Sequence, residues 1–396
     1  MPANRSGRKN LLLLAATCVA AFVLLEAGLR LTVFHCAMPE PNLCRFGVVK
    51  YFFNRTEGGG DLAPNQDGVW AIWPHRPYHV QTNSDGLRNV EEADGSHDIR
   101  ILAIGDSFTF GPYVPNEDSW PAQLERLLDA APHPHATAQV LNAGVAGYTI
   151  VDEYHYLKER GLALQPDLVI LAFFPNDISD MRGLQRDYLA RPVRRVYGTS
   201  LMLWARTTLI NLEQKLAILR FAHSLKTGML RREAQVQRQV EKEQFAGEPS
   251  TPETGCDAFH RAQNEPAGNC WQTYREWFAA TASMLAEHNV PMLVVAIPDY
   301  RQLPETGYPD APQRFVAQLA ADAGVRFLDL TPALRARAEI ETAYLMQYDP
   351  DYEPDADYPA AIARYRGNGH MSAYGYRVAA EAIAEYLKGN PYWPRN

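Results

Sequence analysis

The run Ile99-Arg100-Ile101-Leu102-Ala103-Ile104 leads straight into Gly105-Asp106-Ser107-Phe108-Thr109-Phe110-Gly111. A short apolar stretch closed by glycine has the signature of a buried strand. Strands buried on both faces belong to parallel sheets. Gly105 lets the chain turn sharply. The turn sets Ser107 at the carboxyl edge of the sheet, where open parallel sheets hold their ligands. The segment that follows can enter a helix whose first amides favour an anion. A serine hydroxyl is a weak nucleophile and needs a base. The pattern differs from the G-x-S-x-G elbow, because Thr109 stands where its second glycine would be.

Outward from this stretch, strand-like and helix-like patterns alternate. Trp120, Leu124, Leu127 and Leu128 fall at helical spacing, and residues 139–141 form a second short strand. Residues 152–164 read as a helix ending before Pro166. Residues 168–173, 292–297 and 326–328 supply three more strands, and a last helix is expected over about residues 373–387. Such alternation predicts a parallel sheet covered on both faces. Two stretches interrupt it. In residues 181–268, Leu209, Leu212, Leu216 and Leu219 recur at helical spacing, ahead of a charged segment that begins at Arg231. This insertion reads as a helix packed on the domain, with a lid, a partner site or a membrane-surface helix as the other readings. Residues 348–365, rich in Asp, Pro and Tyr, come just before His370.

Two further loops belong to the same sheet edge as Ser107. Asn142-Ala143-Gly144-Val145-Ala146-Gly147 follows the second strand, and Phe173-Phe174-Pro175-Asn176-Asp177 follows the third. A glycine amide and an Asn side-chain amide are the donor types that stabilise a tetrahedral oxyanion. Each loop alone also reads as a turn or a helix cap. Gly367-Asn368-Gly369-His370 precedes the last helix, and histidine is the natural base near neutral pH.

These four blocks, in this order, resemble the SGNH, or GDSL, hydrolase family over about residues 83–387, with the two insertions outside the likeness. The resemblance implies a flavodoxin-like three-layer α/β/α fold with a central parallel sheet, to which this chain adds an N-terminal transmembrane helix and a helical insertion. It implies Ser107 as nucleophile, with its own amide in the oxyanion hole. Gly147 would give a second amide, Asn176 the third donor, and His370 the base. No metal and no organic cofactor are implied. Family members at the bacterial envelope often act on O-acetylated glycans, so the expected substrate is an acylated glycan or a related envelope ester. An O-acetyltransferase would use the same residues, and a non-catalytic carbohydrate-binding or assembly protein is a third reading. NSDGLRN, residues 83–89, resembles a segment upstream of the serine in many bacterial members.

The sequence departs from the family in two places. Phe174 stands where a glycine is usual, two residues before the oxyanion Asn, which implies a stiffer loop or a narrower pocket. The acid usually found three, or sometimes two, residues before the histidine is replaced by Gly367 and Asn368. Asn368 can orient the imidazole through its carbonyl, but cannot offset imidazolium charge as a carboxylate does. The alternatives are a Ser–His dyad or an acid from elsewhere, with Asp349, Asp351, Asp355 and Asp357 as the candidates.

The bulk properties agree with an enzyme domain. With 396 residues, 46% of them hydrophobic, the chain can bury a core for one large domain with insertions or two modest ones. A net charge of -8 argues against a nucleic-acid partner. Protein partners are not legible. Arg5, Arg8 and Lys9 precede a mostly apolar stretch, residues 11–34, long enough to cross a bilayer. The positive-inside rule then puts residues 1–10 in the cytoplasm and makes residues 11–34 a signal-anchor. Residues 35–98 form an irregular wrap, and residues 99–390 the hydrolase-like domain, outside the bacterial inner membrane in the periplasm. A cleaved signal peptide is the alternative and also exports the domain. Glu26 and Arg30 share a helix face and can pair. Cys36 with Cys44 and Cys256 with Cys270 form two close pairs, which an exported protein can keep as disulfides. Four free thiols are the other reading. No His sits at zinc-ligand spacing around them.

Overall fold

Five strands build the central sheet: β1 (Ile99–Gly105), β2 (Ala138–Asn142), β3 (Leu168–Phe173), β4 (Met292–Ala296) and β5 (Arg326–Asp329). A computed structural model describes them within residues 5–32, 54–55, 60–62, 64–65, 67–70, 78–91, 97–130, 137–181, 216, 218–219, 222, 269–348 and 365–389. Every pairing is parallel, in the order β2-β1-β3-β4-β5. That is the flavodoxin-like order, with its switch point beside β1. The five strands match the runs expected from the sequence to within two residues at either end.

Helices fully within the described residues include α1 (Arg5–Thr32), α2 (Ser107–Phe110), α3 (Trp120–Asp129), α4 (Ile150–Tyr156), α5 (Asn176–Ser179), α6 (Asn269–Glu287), α7 (Ala311–Asp322), α8 (Thr331–Arg337), α9 (Ile340–Ala343) and α10 (Ala373–Lys388). Side chains alternate across the sheet. Ile101, Ala103, Ile170 and Val295 join one core with Trp120 and Leu124 of α3 and Ile383 and Leu387 of α10. The opposite face packs on the other helical layer, where Phe173 meets Tyr274 of α6 edge-on at 5.6 Å. The result is a three-layer α/β/α sandwich. The helix expected over residues 152–164 is made of three pieces. α4 passes into a π turn, Leu157–Gly161, and then a 3-10 turn, Leu162–Leu164.

An edge strand offers unpaired backbone groups that must be covered. On β2 the outward amides are taken by side chains. Ala138 donates to Asp129 Oδ1 at 2.9 Å, Val140 to Glu125 Oε2 at 2.7 Å and Asn142 to Asn89 Oδ1 at 2.8 Å. The Asn89 side chain also donates to the Val140 carbonyl at 3.0 Å, and the Arg88 amide donates to the Asn142 carbonyl at 2.9 Å. Carboxylates of α3 and the Arg88–Asn89 segment thus cover this edge together.

Two features differ from the expected pattern. Beyond the central sheet, β6 (Tyr344–Tyr348) pairs antiparallel with β7 (Tyr365–Met371), so the second insertion is bracketed by a hairpin. His370, expected between the last strand and the last helix, lies inside β7. The chain also divides into two units. One holds residues 52–67, 80–197 and 250–396, which include the sheet; the other holds residues 1–51, 68–79 and 198–249. In the second unit, α1 contains Leu12–Leu29, with a mean hydropathy of 2.3, long and apolar enough to cross a membrane. A transmembrane span and a signal sequence share this length and composition. Glu26 accepts the Ile218 amide at 3.0 Å; the Arg30 side chain lies outside the described residues. So do Leu209, Leu212, Arg231, Cys36, Cys44 and Cys256. Cys270 is buried, and Cys256, with which the sequence pairs it, is outside the described residues.

Candidate active site

Ser107 begins α2, two residues beyond β1. Asp106 caps that helix: its carboxylate accepts the Phe108 amide at 2.8 Å and lies 3.4 Å from Ser107 Oγ. His370 approaches from the hairpin, with Nε2 2.8 Å from Ser107 Oγ. The two residues are 263 positions apart in sequence, so only the folded chain brings them together. The imidazole touches two aromatic rings. Phe108 is stacked at 5.0 Å between centroids, and Tyr113 is tilted at 5.6 Å. Phe174, the residue in place of the usual glycine, is buried against Phe108 with ring centroids 3.6 Å apart.

Gly147 is exposed in the loop after β2. The loop is anchored to β1 by bonds from Ala143 to the Ala103 carbonyl at 2.8 Å and from Val145 to the Gly105 carbonyl at 3.0 Å. Among the described residues, neither the Ser107 amide nor the Gly147 amide donates to a protein acceptor. Asn176 starts α5 after β3. Its side chain donates to Asp180 Oδ2 at 3.2 Å. Ser107, Gly147 and Asn176 therefore stand at the carboxyl ends of three adjacent strands. The Asn368 backbone pairs with Leu345 in the hairpin; its side chain lies outside the described residues, as do Asp349, Asp351, Asp355 and Asp357.

Behind the serine is a set of buried carboxyls that the sequence reading did not single out. Burial pushes Asp106 up to about 6, against the Phe108 amide and the Asn176 side chain, which favour its charged form. Glu153 of α4 and Asp177 of α5 are raised well above the ordinary carboxylate range, first by burial and then by neighbouring carboxyls, Asp106 among them. Burial also lifts Asp152 to about 7. In each case burial shifts the balance toward the protonated form, because an isolated carboxylate is poorly solvated in the interior. Among the described residues no three His, Cys, Asp or Glu side chains are grouped as metal ligands.

The NSDGLRN segment has a structural role that its composition did not disclose. Asn83 Oδ1 accepts the amides of Asp85 and Leu87 at 3.1 and 2.9 Å, and Leu87 is fully buried. Arg88, 1% exposed, donates to the carbonyls of Phe110 and Gly111 and to that of Val114 at 2.5 Å. Its guanidinium also lies over the Phe110 ring at 4.4 Å. One buried cation thus holds the end of α2 and the loop beyond it. A second tie fixes the Gly147 loop: Tyr148 donates to Asp61 Oδ1 at 2.8 Å, and Arg160 pairs with Asp61 Oδ2 at 2.6 Å. The sequence marked the segment as unusual, but beside Asn116 Oδ1 at 3.2 Å Arg88 meets three backbone carbonyls, which leave no trace in residue types.

A model described as the GDSL-like Lipase/Acylhydrolase family matches residues 103–378. The chain belongs to this family. It is accordingly a serine esterase of the GDSL, or SGNH, type. No curated protein sequence matches it. Among solved structures it is similar to a lipolytic protein of the G-D-S-L family from Desulfitobacterium hafniense DCB-2, at 15% identity and a TM-score of 0.36, covering 73% of this chain and 99% of that one. It is also similar to an acetylxylan esterase from Geobacillus stearothermophilus, at 15% identity and a TM-score of 0.38, covering 76% and 99%. A metagenomic α/β hydrolase from Lake Arreo, Spain, shares 12% identity at a TM-score of 0.39, covering 74% and 96%.

The buried carboxyls give a pH signature. Their folded-state values lie above the unfolded ones, so the native state binds more protons between about pH 4 and pH 7, and stability falls as pH rises through that window. His155 works the other way: burial lowers it to about 4, so the unfolded state takes up its proton first as pH falls. The difference between a variant and the parent isolates one carboxyl. Glu153→Gln should melt higher than the parent at pH 8 and lose less of its melting temperature between pH 5.5 and pH 8. Superimposable melting curves across that range would show that Glu153 carries no such burden.

Proposed function

We propose that the chain hydrolyses acyl esters through a covalent ester on Ser107, with His370 as its base. The substrate would be an O-acylated glycan or a related envelope ester, and the enzyme would be held at the bacterial inner membrane by α1 with its catalytic domain in the periplasm. The observation that carries the chemistry is the 2.8 Å separation of His370 Nε2 and Ser107 Oγ, within the reach required of a nucleophile and its base. The glycan class rests on the resemblance to envelope members of the family and on the apolar segment with its basic flank.

The steps follow from the placement of the groups. His370 Nε2 takes the Ser107 proton as Oγ bonds to the ester carbonyl carbon. The carbonyl oxygen gains the negative charge, and the amides of Ser107 and Gly147 with the Asn176 side chain receive it. The tetrahedral intermediate collapses, the alcohol leaves with the proton from His370, and the acyl group remains on Ser107. Water then enters, gives a proton to His370 and attacks the acyl carbon. Collapse returns the proton to Ser107 and releases the carboxylic acid. A neutral acceptor such as the Asn368 carbonyl would hold the imidazole in the right tautomer.

Ser107→Ala should reduce turnover of a chromogenic acetyl ester to background and abolish labelling by a fluorophosphonate probe, with the melting temperature little changed. Wild-type rates in the purified variant would remove Ser107 from the chemistry.

His370→Ala should remove nearly all activity. Asn368→Ala should cost on the order of tenfold, as expected for one neutral hydrogen bond of about 1 kcal/mol. Equal losses would make Asn368 an essential member of a triad. A comparable collapse on replacing Asp349, Asp351, Asp355 or Asp357 would identify an acid as the partner instead.

For topology, a periplasmic reporter fused after Asn396 should be active and a cytoplasmic one silent. The reverse pattern would overturn the assignment of the catalytic domain to the outside.

A further inference from the structure

We propose that Tyr113 is a positioning residue for His370: together with Phe108 it packs its ring against the imidazole and favours the protonated form that arises during catalysis. The inference rests on the reading of Ser107 and His370 given above and deepens it.

The need arises from the hairpin. Position 367 is where the family most often places its acid, three residues before the histidine. Here a Cβ at Gly367 would lie 2.3 Å from the Leu345 carbonyl oxygen and 3.1 Å from Met346 Cα, at a φ of +140°. A side chain cannot be added there without moving β6. The β6–β7 pairing and a carboxylate at that position exclude each other.

Tyr113 is one of four described non-glycine residues with a positive φ. It has a φ of 68°, a region that bulky side chains avoid. Backbone strain of this kind persists only where the surroundings impose it, and it gathers at functional sites. Here the surroundings are identifiable. Arg88 holds the carbonyls of Phe110 and Gly111 on one side of Tyr113 and that of Val114 on the other. The sequence Gly111-Pro112-Tyr113-Val114-Pro115 adds two prolines that restrict the same loop. The outcome is a half-buried tyrosine ring 5.6 Å from the His370 imidazole, which is also stacked on Phe108 at 5.0 Å.

An aromatic face attracts a cation through its quadrupole. His370 is neutral when it accepts the Ser107 proton and cationic afterwards, so such contacts favour the charged state that forms in the reaction. Titratable and charged groups also lie near the imidazole. Ser107 Oγ lies 2.8 Å from Nε2, and Asp106 Oδ2 lies 3.4 Å from that Oγ. The Tyr300 ring lies 3.3 Å from the Cβ position of Gly369, and Arg301 lies over Tyr300 while paired with Asp299.

The test is Tyr113→Gly beside Tyr113→Phe in the full-length protein. Glycine accepts the positive φ without strain, so the loop can keep its course while the ring is removed; phenylalanine keeps the ring and loses the hydroxyl. Two readouts are taken across pH: hydrolysis of a chromogenic acetyl ester, and the rate of Ser107 labelling by a fluorophosphonate. Tyr113→Gly should lower kcat by about three- to fivefold with KM unchanged, and move the acid limb of both profiles down by about half a pH unit. Tyr113→Phe should match the parent, and the melting temperature of Tyr113→Gly should not fall.

A rise in KM with kcat and the acid limb unchanged would make Tyr113 a substrate wall and overturn the proposal. So would parental behaviour of Tyr113→Gly, or an equal loss in Tyr113→Phe. A parent protein that neither turns over the ester nor labels at Ser107 would sink the serine-ester reading itself. A labelled parent with an indifferent glycine variant would sink only the role of Tyr113.

Discussion

A Cβ at Gly105 would lie 2.3 Å from Thr109 Oγ1 and 2.9 Å from the Ala172 carbonyl oxygen. The central strand therefore has to end on glycine if α2 is to start within two residues of it and still lie beside β3. That crowding sets the rest of the site. It puts the first turn of α2 at the switch point of the sheet, where the crevice of an open parallel fold lies. It brings the Ser107 amide and hydroxyl to the rim and places Asp106 behind them. It also fixes the start of the Gly147 loop, because the Val145 amide reaches the Gly105 carbonyl.

A short helix at such a turn has little to hold it, since four residues cannot stabilise themselves as a helix in water. The wrap supplies the missing support from outside. Arg88 closes the carbonyl end of α2, Asn89 closes the edge of β2, and Asp61 joins Tyr148 to Arg160. Each tie ends on a segment that carries or borders a residue of the site. The segment before β1 is thus part of the active-site architecture, although it contributes no reacting atom.

The same region carries an electrostatic cost. Asp106, Glu153 and Asp177 are buried; Asp106 raises the proton affinity of the other two, and Glu153 raises that of Asp177. Local strain and unfavourable charge concentrate where function needs a fixed geometry. The sheet and its two helical layers, with long buried runs such as Leu168–Phe173, bear that cost elsewhere in the fold.

The sequence by itself determined the layers and the edge. Continuous apolar runs and their spacing specified five buried strands, because a strand covered on both faces can tolerate few polar residues. The blocks around Ser107, Gly147, Asn176 and His370 were legible because each combines a strand end or helix start with a reactive or donor side chain. The hairpin around His370 was not legible, since its two strands pair across a long insertion and neither has a strict alternating pattern. The partners of Arg88, the positive φ of Tyr113 and the closure of position 367 were also hidden. Each depends on where backbone carbonyls fall in space, and only tertiary packing brings Leu345 against Gly367 or sets Phe110 and Val114 around one guanidinium.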